Sequence, residues 1–92
     1  MTIRKLVLSV HAVDDLTDHN VKRWQVRVTM EAGRECEAVT HTGAETRFSR
    51  CAMFGRKTLK VVFLRRPDHD LIISNHWINR PTKRRRLEGK KK

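Results

Sequence analysis

The chain lacks most of the features that assign a sequence to a class at first sight. It has no tyrosine and no apolar run near the roughly 18 residues of a membrane-spanning helix. The opening residues, MTIRKLVLSV, include a short apolar run, but no small-residue cleavage site follows it as in a signal peptide. We therefore expect a cytoplasmic protein that does not enter a membrane.

Cysteine is also scarce, and the two cysteines, Cys36 and Cys51, are isolated from each other in the sequence. Nothing suggests a disulfide framework, and a reducing cytoplasm is the expected surrounding. Together with His41 they lack the paired C-x-x-C or H-x-x-x-H spacing of zinc ligands. Phosphate-loop, dinucleotide-binding and serine-nucleophile motifs are absent too. The sequence therefore predicts neither a metal nor a cofactor.

What the sequence has in excess is positive charge. Its 92 residues, enough for one small domain, include 21 Lys and Arg against 10 Asp and Glu, a formal net charge of +11. Such a charge attracts polyanions, namely RNA, DNA or an acidic protein. Because no basic amphipathic helix stands out, a membrane surface is a poorer partner. We expect the partner to be nucleic acid, and RNA in particular.

The last twelve residues, PTKRRRLEGKKK, differ from the rest of the chain. Seven cations against one acid give them more than half of the net charge, and one leucine cannot form a core. We expect residues 1–80 to form the folded domain and residues 81–92 a disordered basic arm. The cations of the arm that we assign to nucleic-acid binding are Lys83, Arg84, Arg85 and Arg86.

The second half of the body has the pattern of β-strands. TRFSRCAMF, KTLKVVFLRR and LIISNHWI are rich in β-branched and aromatic residues. A glycine-containing turn and the turn sequence PDHD separate them, which predicts an antiparallel meander. A weaker strand, Cys36 to His41, precedes them.

The first half contains one clear helix and one ambiguous segment. In SVHAVDDLTDHN, Ser9 suits an N-cap and Asn20 suits the left-handed residue that ends a helix. In VKRWQVRVTMEAG, apolar residues alternate from Trp24 to Met30 as in a strand, whereas Val26 and Met30 are also four apart, as on a helix face. Taken by itself, the alternation favours a strand.

A resemblance changes this interpretation. HAVDDLTDHNVKRWQV resembles the start of a family of small prokaryotic domains of unassigned function. That family opens with His-Ala, followed by a short helix, a break, an Ile or Val, and a second helix with Val five positions later. The matching residues here are His11, Ala12, Val21 and Val26, and FGRKTLKVVFLRRPDHDLIISNHW looks like the family's ending. The resemblance covers residues 8–78 and implies a second helix from residue 23 to 32.

The fold that the resemblance implies is α+β, with two N-terminal helices packed on one face of a four-stranded antiparallel sheet. This arrangement is similar to the RelE, ParE, barnase and EndoU group of metal-independent ribonucleases and toxins. The family often has Arg where this chain has Asp15 and His19. Because a fold does not carry a function by itself, the chemistry has to be found in particular residues.

Metal-independent RNA cleavage needs a base and an acid near neutral pH and cations that stabilise the charge on phosphorus. With five histidines and no tyrosine, the chain offers histidine for proton transfer. We expect His11, at a helix start, to be the base and His76, on the last strand, to be the acid. Arg47 and Arg50 would bind phosphate, and Ser49 lies between them, so we expect all five to line one face of the sheet.

Other residues and other functions stay open at this point. Arg56 and Lys57, in the basic turn, are further candidates for nucleic-acid binding, whereas Trp24 and Trp77 are expected in the core. Each histidine also has a purely structural explanation, at a helix start or a sheet edge. The alternatives to a toxin-type ribonuclease are a binding protein without catalysis, associated with ribosomes or DNA, and the partner of an acidic antitoxin-like protein. Nothing in the sequence indicates an oligomeric state.

Overall fold

The computed structural model describes residues 5–37, 39–43 and 45–78, which form two helices and six strands. In chain order these are β1 (Lys5–Leu8), α1 (Val10–Asp18), α2 (Arg23–Ala32), β2 (Arg34–Glu35), β3 (Thr40–Thr42), β4 (Glu45–Phe54), β5 (Lys57–Arg65) and β6 (His69–Ile78). The α+β class and both helices are as predicted. The basic arm expected over residues 81–92, with Lys83, Arg84, Arg85 and Arg86, lies outside the described residues.

The first helix has the ends that the sequence predicts. The side chain of Ser9 accepts a hydrogen bond of 3.1 Å from the backbone N–H of Ala12, which satisfies a free donor at the helix start. Asn20, just after the helix, has a positive φ of 55°, which this residue type tolerates well. Neither α1 nor α2, the helices in the described part of the chain, has the length and apolar character to cross a membrane.

The second helix confirms the interpretation that the resemblance favoured over local alternation. Its start is held by the side chain of Gln25, which accepts a 2.9 Å hydrogen bond from the backbone N–H of Lys22. Val26 and Met30 are buried, as expected for residues one turn apart. The helix ends at Gly33, where any side chain would collide with the backbone carbonyls of Thr29 and Cys51.

The sheet differs from the predicted four antiparallel strands. Its order is β1-β6-β5-β4-β2, and β3 also pairs with β4. The strand β1, which precedes both helices, pairs in parallel with β6, so the sheet is mixed. The weak strand expected from Cys36 to His41 is replaced by two shorter ones, β2 and β3. The prediction was wrong because parallel pairing joins segments more than sixty residues apart and leaves no local turn signal.

The core lies between the two helices and one face of the sheet. Strand β5 contributes Leu59, Val61 and Phe63 to it, and all three are at most 1% exposed. Helix α2 packs Val26 against them, and β6 adds Ile72. Because side chains alternate along a strand, the residues between these point to the other face, which we call the helix-free face.

The two cysteines are joined in a disulfide, contrary to the expectation of isolated cysteines. Pairing of Arg34 with Cys51 in the β2–β4 ladder brings Cys36, two residues further on, alongside β4. The Cα atoms of the two cysteines lie 5.8 Å apart, within the usual range for a disulfide. Their proximity depends on strand pairing, which the spacing of two cysteines in the sequence does not indicate.

Candidate nucleic-acid interface

The helix-free face places several of the candidate residues side by side. Cross-strand neighbours share a face, so the register of β4, β5 and β6 gives its composition directly. The face contains Arg47, Ser49 and Cys51 on β4, Lys60, Val62 and Leu64 on β5, and Leu71, Ser74 and His76 on β6. Polar and titratable groups therefore line much of this face, next to the apolar Val62, Leu71 and the buried Leu64.

A depression of about 530 Å³ opens on this face. Its polar lining includes Arg47, Arg66 and Ser74, with His11 from the first helix. Glu45 also lines it, and its carboxylate lies 3.8 Å from the Arg47 guanidinium, an exposed pair of small energy. The depression thus combines two guanidinium groups, an imidazole and one carboxylate, and its guanidinium groups are suited to an anionic ligand.

The His11 side chain of α1 reaches this face at its edge, because the helix continues along β6 where β1 stops. The backbone N–H of Ser9 donates to the carbonyl of Ile72, at 2.9 Å. Further along, the buried carboxylate of Asp15 accepts a 3.1 Å hydrogen bond from the backbone N–H of Asn75. The Asn75 side chain donates in turn to the carbonyl of Ala12, at 3.2 Å. These bonds fix the helix against the strand.

Three titratable residues lie at four-residue spacing on the side of α1 that faces β6. The ring of His11, 73% exposed, has its Nε2 atom 3.6 Å from Asp15 Oδ2. One turn beyond Asp15, the ring of His19 contacts that of His76 edge-on, with centroids 6.1 Å apart. The structure thus brings both histidines proposed for proton transfer, His11 and His76, to one edge of the sheet.

His76 is half-buried, and its surroundings change its acidity. Burial lowers the pKa of His76 below its ordinary value, and the positive charges of Lys60 and His19 lower it further. The negative charges of Asp15 and Glu37 oppose this with smaller effects on the same pKa. An imidazole with a lowered pKa is neutral at pH 7, which suits a base. The sequence assigned the acid role to His76, and this environment favours the reverse.

Lys60 connects His76 to the disulfide. On β5 it lies between His76 of β6 and Cys51 of β4, its direct neighbours across the strands. Its side chain is only 14% exposed, and its ammonium forms a 2.6 Å ion pair with the carboxylate of Glu37. Glu37 follows Cys36, so the disulfide holds this carboxylate near the face.

Arg50 does not join Arg47, contrary to the expectation that they line one face. The two residues are an odd number apart on β4, so their side chains point to opposite sides of the sheet. Arg50 pairs across the strands with the core residue Val61 and lines a separate depression of about 270 Å³. That depression also contains Arg65, whose guanidinium lies 5.1 Å from the centroid of the Phe48 ring.

The basic turn and the tryptophans lie at one end of the sheet. Arg56 and Lys57 are exposed in the β4–β5 hairpin, and Lys57 Nζ is 5.5 Å from the centroid of the Trp77 ring. Trp24 was expected in the core and is 58% exposed instead. In a helix, residues two apart lie about 200° apart around the axis, so burying Val26 turns Trp24 outward.

Comparisons of the chain with protein-family models, with curated proteins and with solved structures find no match. Among the described residues, no group of three or more His, Cys, Asp or Glu is arranged to hold a metal ion. A functional assignment therefore depends on the side chains of the helix-free face and on the charge of the chain.

Proposed function

We propose that this domain binds RNA on the helix-free face of its sheet and cleaves it without a metal ion. His76 acts as the base, His11 as the acid, and Arg47 binds phosphate. The single observation that carries the proposal is the juxtaposition of His76 with a depression that contains His11 and Arg47. The reaction needs cations and proton carriers on one face. The formal net charge of +11 also favours a polyanionic substrate.

The reaction balances with two imidazoles. Neutral His76 takes the proton of a ribose 2′-hydroxyl while that oxygen forms a bond to the neighbouring phosphorus. The bond from phosphorus to the 5′-oxygen breaks, and protonated His11 gives its proton to that oxygen. The products are a strand ending in a 2′,3′-cyclic phosphate and a strand with a 5′-hydroxyl. Proton exchange with water restores both histidines.

The spacing of the groups is compatible with one phosphodiester. His76 lies two residues beyond Ser74 on β6, a separation of about 6.6 Å along the strand. Ser74 and His11 line the same depression, and Arg47 lines it from β4, two strands away and level with Leu71. A phosphate in the depression would therefore have His11 and Arg47 around it and His76 at its rim. Asp15, fixed by Asn75, lies close enough to orient the His11 ring.

The test is cleavage of labelled RNA by the pure protein in the presence of EDTA. We expect His76→Ala and His11→Ala each to lose about 10²–10⁴-fold in cleavage rate, the usual contribution of general acid–base catalysis. His41→Ala is the matched control, because His41 lies on β3 and its ring is exposed and bonded to Thr46. RNA affinity should change little in all three variants, since the guanidinium groups remain.

Other outcomes identify the alternatives. Salt-sensitive RNA binding by the wild-type protein with no cleavage would replace the enzyme with a binding protein. If the protein bound tightly to an acidic protein and not to RNA, its positive charge would serve to bind an antitoxin-like partner. The cytoplasmic location stays a prediction, and the Cys36–Cys51 disulfide does not support it, because such bonds are rare in reducing compartments.

A further inference from the structure

Trp24 is the largest apolar side chain that the described part of the chain leaves exposed, with 58% of its surface accessible. It lies in the first turn of α2, on the side away from the core. The indole contacts Phe54 and leaves more than half of its surface open to solvent, where it is free to contact a ligand. The surroundings of the ring indicate what that ligand is.

Trp24 is the outermost member of a row of three aromatic rings. Its ring contacts that of Phe54 edge-on, with centroids 5.7 Å apart, and Phe54 contacts Trp77 in the same way at 6.1 Å. The indole N–H of Trp77 donates to the carbonyl of His19, at 2.9 Å. The row is therefore anchored at its inner end, and these contacts hold the exposed ring in one orientation.

Exposed cations flank this row on both sides. Lys22 and Arg23 precede Trp24, and Arg56 and Lys57 follow Phe54 after a single glycine. The first turn of α2 contains no acidic residue. Cations at a helix start oppose the helix dipole, so they are unfavourable for the helix itself. Residues that weaken a helix start without stabilising another part of the fold are typical of a binding surface.

We propose that Trp24 is a stacking platform for an unpaired base of single-stranded RNA, with the neighbouring cations binding the phosphates on either side. The inference rests on the proposed function and extends it by naming the substrate as single-stranded. A base can stack on an indole only when its face is free, which excludes the interior of a duplex.

The proposed catalytic histidine lies near the same end of the sheet. Trp77 comes one residue before Ile78, where β6 ends. His76 precedes Trp77 and lies on the helix-free face. A strand stacked on Trp24 therefore has a short path around the end of the sheet to the proposed catalytic histidine.

The experiment measures affinity for a strand of about ten nucleotides of 2′-O-methyl uridine, which lacks the attacking hydroxyl and stays intact. We expect Trp24→Ala to weaken binding about 5- to 150-fold, the effect of losing one stacked base, and Trp24→Phe to retain most of the affinity. The same strand without bases should bind wild-type protein and Trp24→Ala equally. The salt dependence of binding should not change, because no charge is removed.

Val10→Ala is the control for losing an exposed apolar side chain, since Val10 is 81% exposed on α1. It should bind both strands as the wild type does. Equal losses on the strands with and without bases would overturn stacking, and so would unchanged affinity of Trp24→Ala. If that unchanged variant also passed from dimer to monomer, Trp24 would be a contact between copies of the chain.

The same measurements distinguish failure of the stacking platform from failure of the proposed function. Loss of cleavage in His76→Ala together with full binding by Trp24→Ala would remove the stacking platform and leave the ribonuclease. If wild-type protein bound no strand of either kind, the proposed function would fall, and the platform with it.

Discussion

The two faces of the sheet are built from the same strands and differ in almost every other respect. On the helix-covered face, Leu59, Val61 and Phe63 are shielded from water by two helices. On the helix-free face, Lys60 and His76 form a polar row with the disulfide beside it. Residue parity along a strand therefore separates the main core from the face that carries the proposed site, although the helix-free face also buries Leu64 and Ser49. Variants on the helix-free face can test function without removing the core.

The largest loss of stability should come from the centre of the helix-covered face. Phe63 is 1% exposed and stacks on Phe48 with centroids 5.5 Å apart. We expect Phe63→Ala to lower the free energy of unfolding by about 3–5 kcal/mol, because it removes a large buried ring and leaves a cavity. Denaturant unfolding followed by circular dichroism measures this.

Alanine variants of two adjacent valines compare how tightly the two faces are packed. Val61 is fully buried under the helices, whereas its neighbour Val62 is half-buried on the other face. The same change to alanine should cost about 2 kcal/mol at Val61 and about 1 kcal/mol or less at Val62. Equal costs would mean that the helix-free face is packed as a second core, which would contradict its assignment as a binding surface.

The disulfide should be the strongest stabilising element on the helix-free side. The cross-link between Cys36 and Cys51 spans fifteen residues of chain. A loop of this length restricts the unfolded chain enough to be worth about 3 kcal/mol. We expect a reductant to lower the free energy of unfolding by about that amount in the wild type.

The double variant Cys36→Ser with Cys51→Ser is the control for this measurement. It should match the reduced wild type and show no response to the reductant. A wild-type protein that is equally stable with and without reductant would show that the bond contributes nothing to the fold.

The sequence predicts the first helix and the end of the second well because these signals are local. Ser9 and Asn20 mark the ends of α1, and Gly33 marks the end of α2. For α2 the alternating apolar residues also fit a strand, and burial of Val26 and Met30 resolves the ambiguity in favour of a helix. Local pattern alone could not do so, because both periods fit the same ten residues.

The features that the sequence missed depend on contacts between distant segments. The four residues of β1 are too few to show a period, and their partner β6 lies at the other end of the chain. The disulfide follows from the β2–β4 pairing. Arg50 is the exception, because alternation along β4 is enough to separate it from Arg47. The sequence therefore indicates the residue types of the candidate site, but it predicts only in part which of these residues lie together.

The smallest expected effect tests whether the polar row is coupled electrostatically. The negative charge of Glu37 raises the pKa of His76 against the stronger effects of burial and Lys60. Glu37→Gln removes that charge and the ion pair with Lys60, so the pKa of His76 should fall further. Titration of the His76 ring protons by NMR measures the shift. Glu45→Gln is the control, because Glu45 pairs with Arg47 at another part of the face.

The same pKa determines how stability depends on pH. Folding lowers the pKa of His76 below its ordinary value of 6.5, so the unfolded chain binds this proton more readily. Stability is therefore unaffected by His76 well above that pH and falls as the pH drops toward the folded pKa. Glu37→Gln extends this fall to lower pH, and His76→Gln should abolish the contribution. Identical stability curves for Glu37→Gln and Glu45→Gln would show that Glu37 does not act on His76. The carboxylate beside the disulfide would then have no influence on the proposed base.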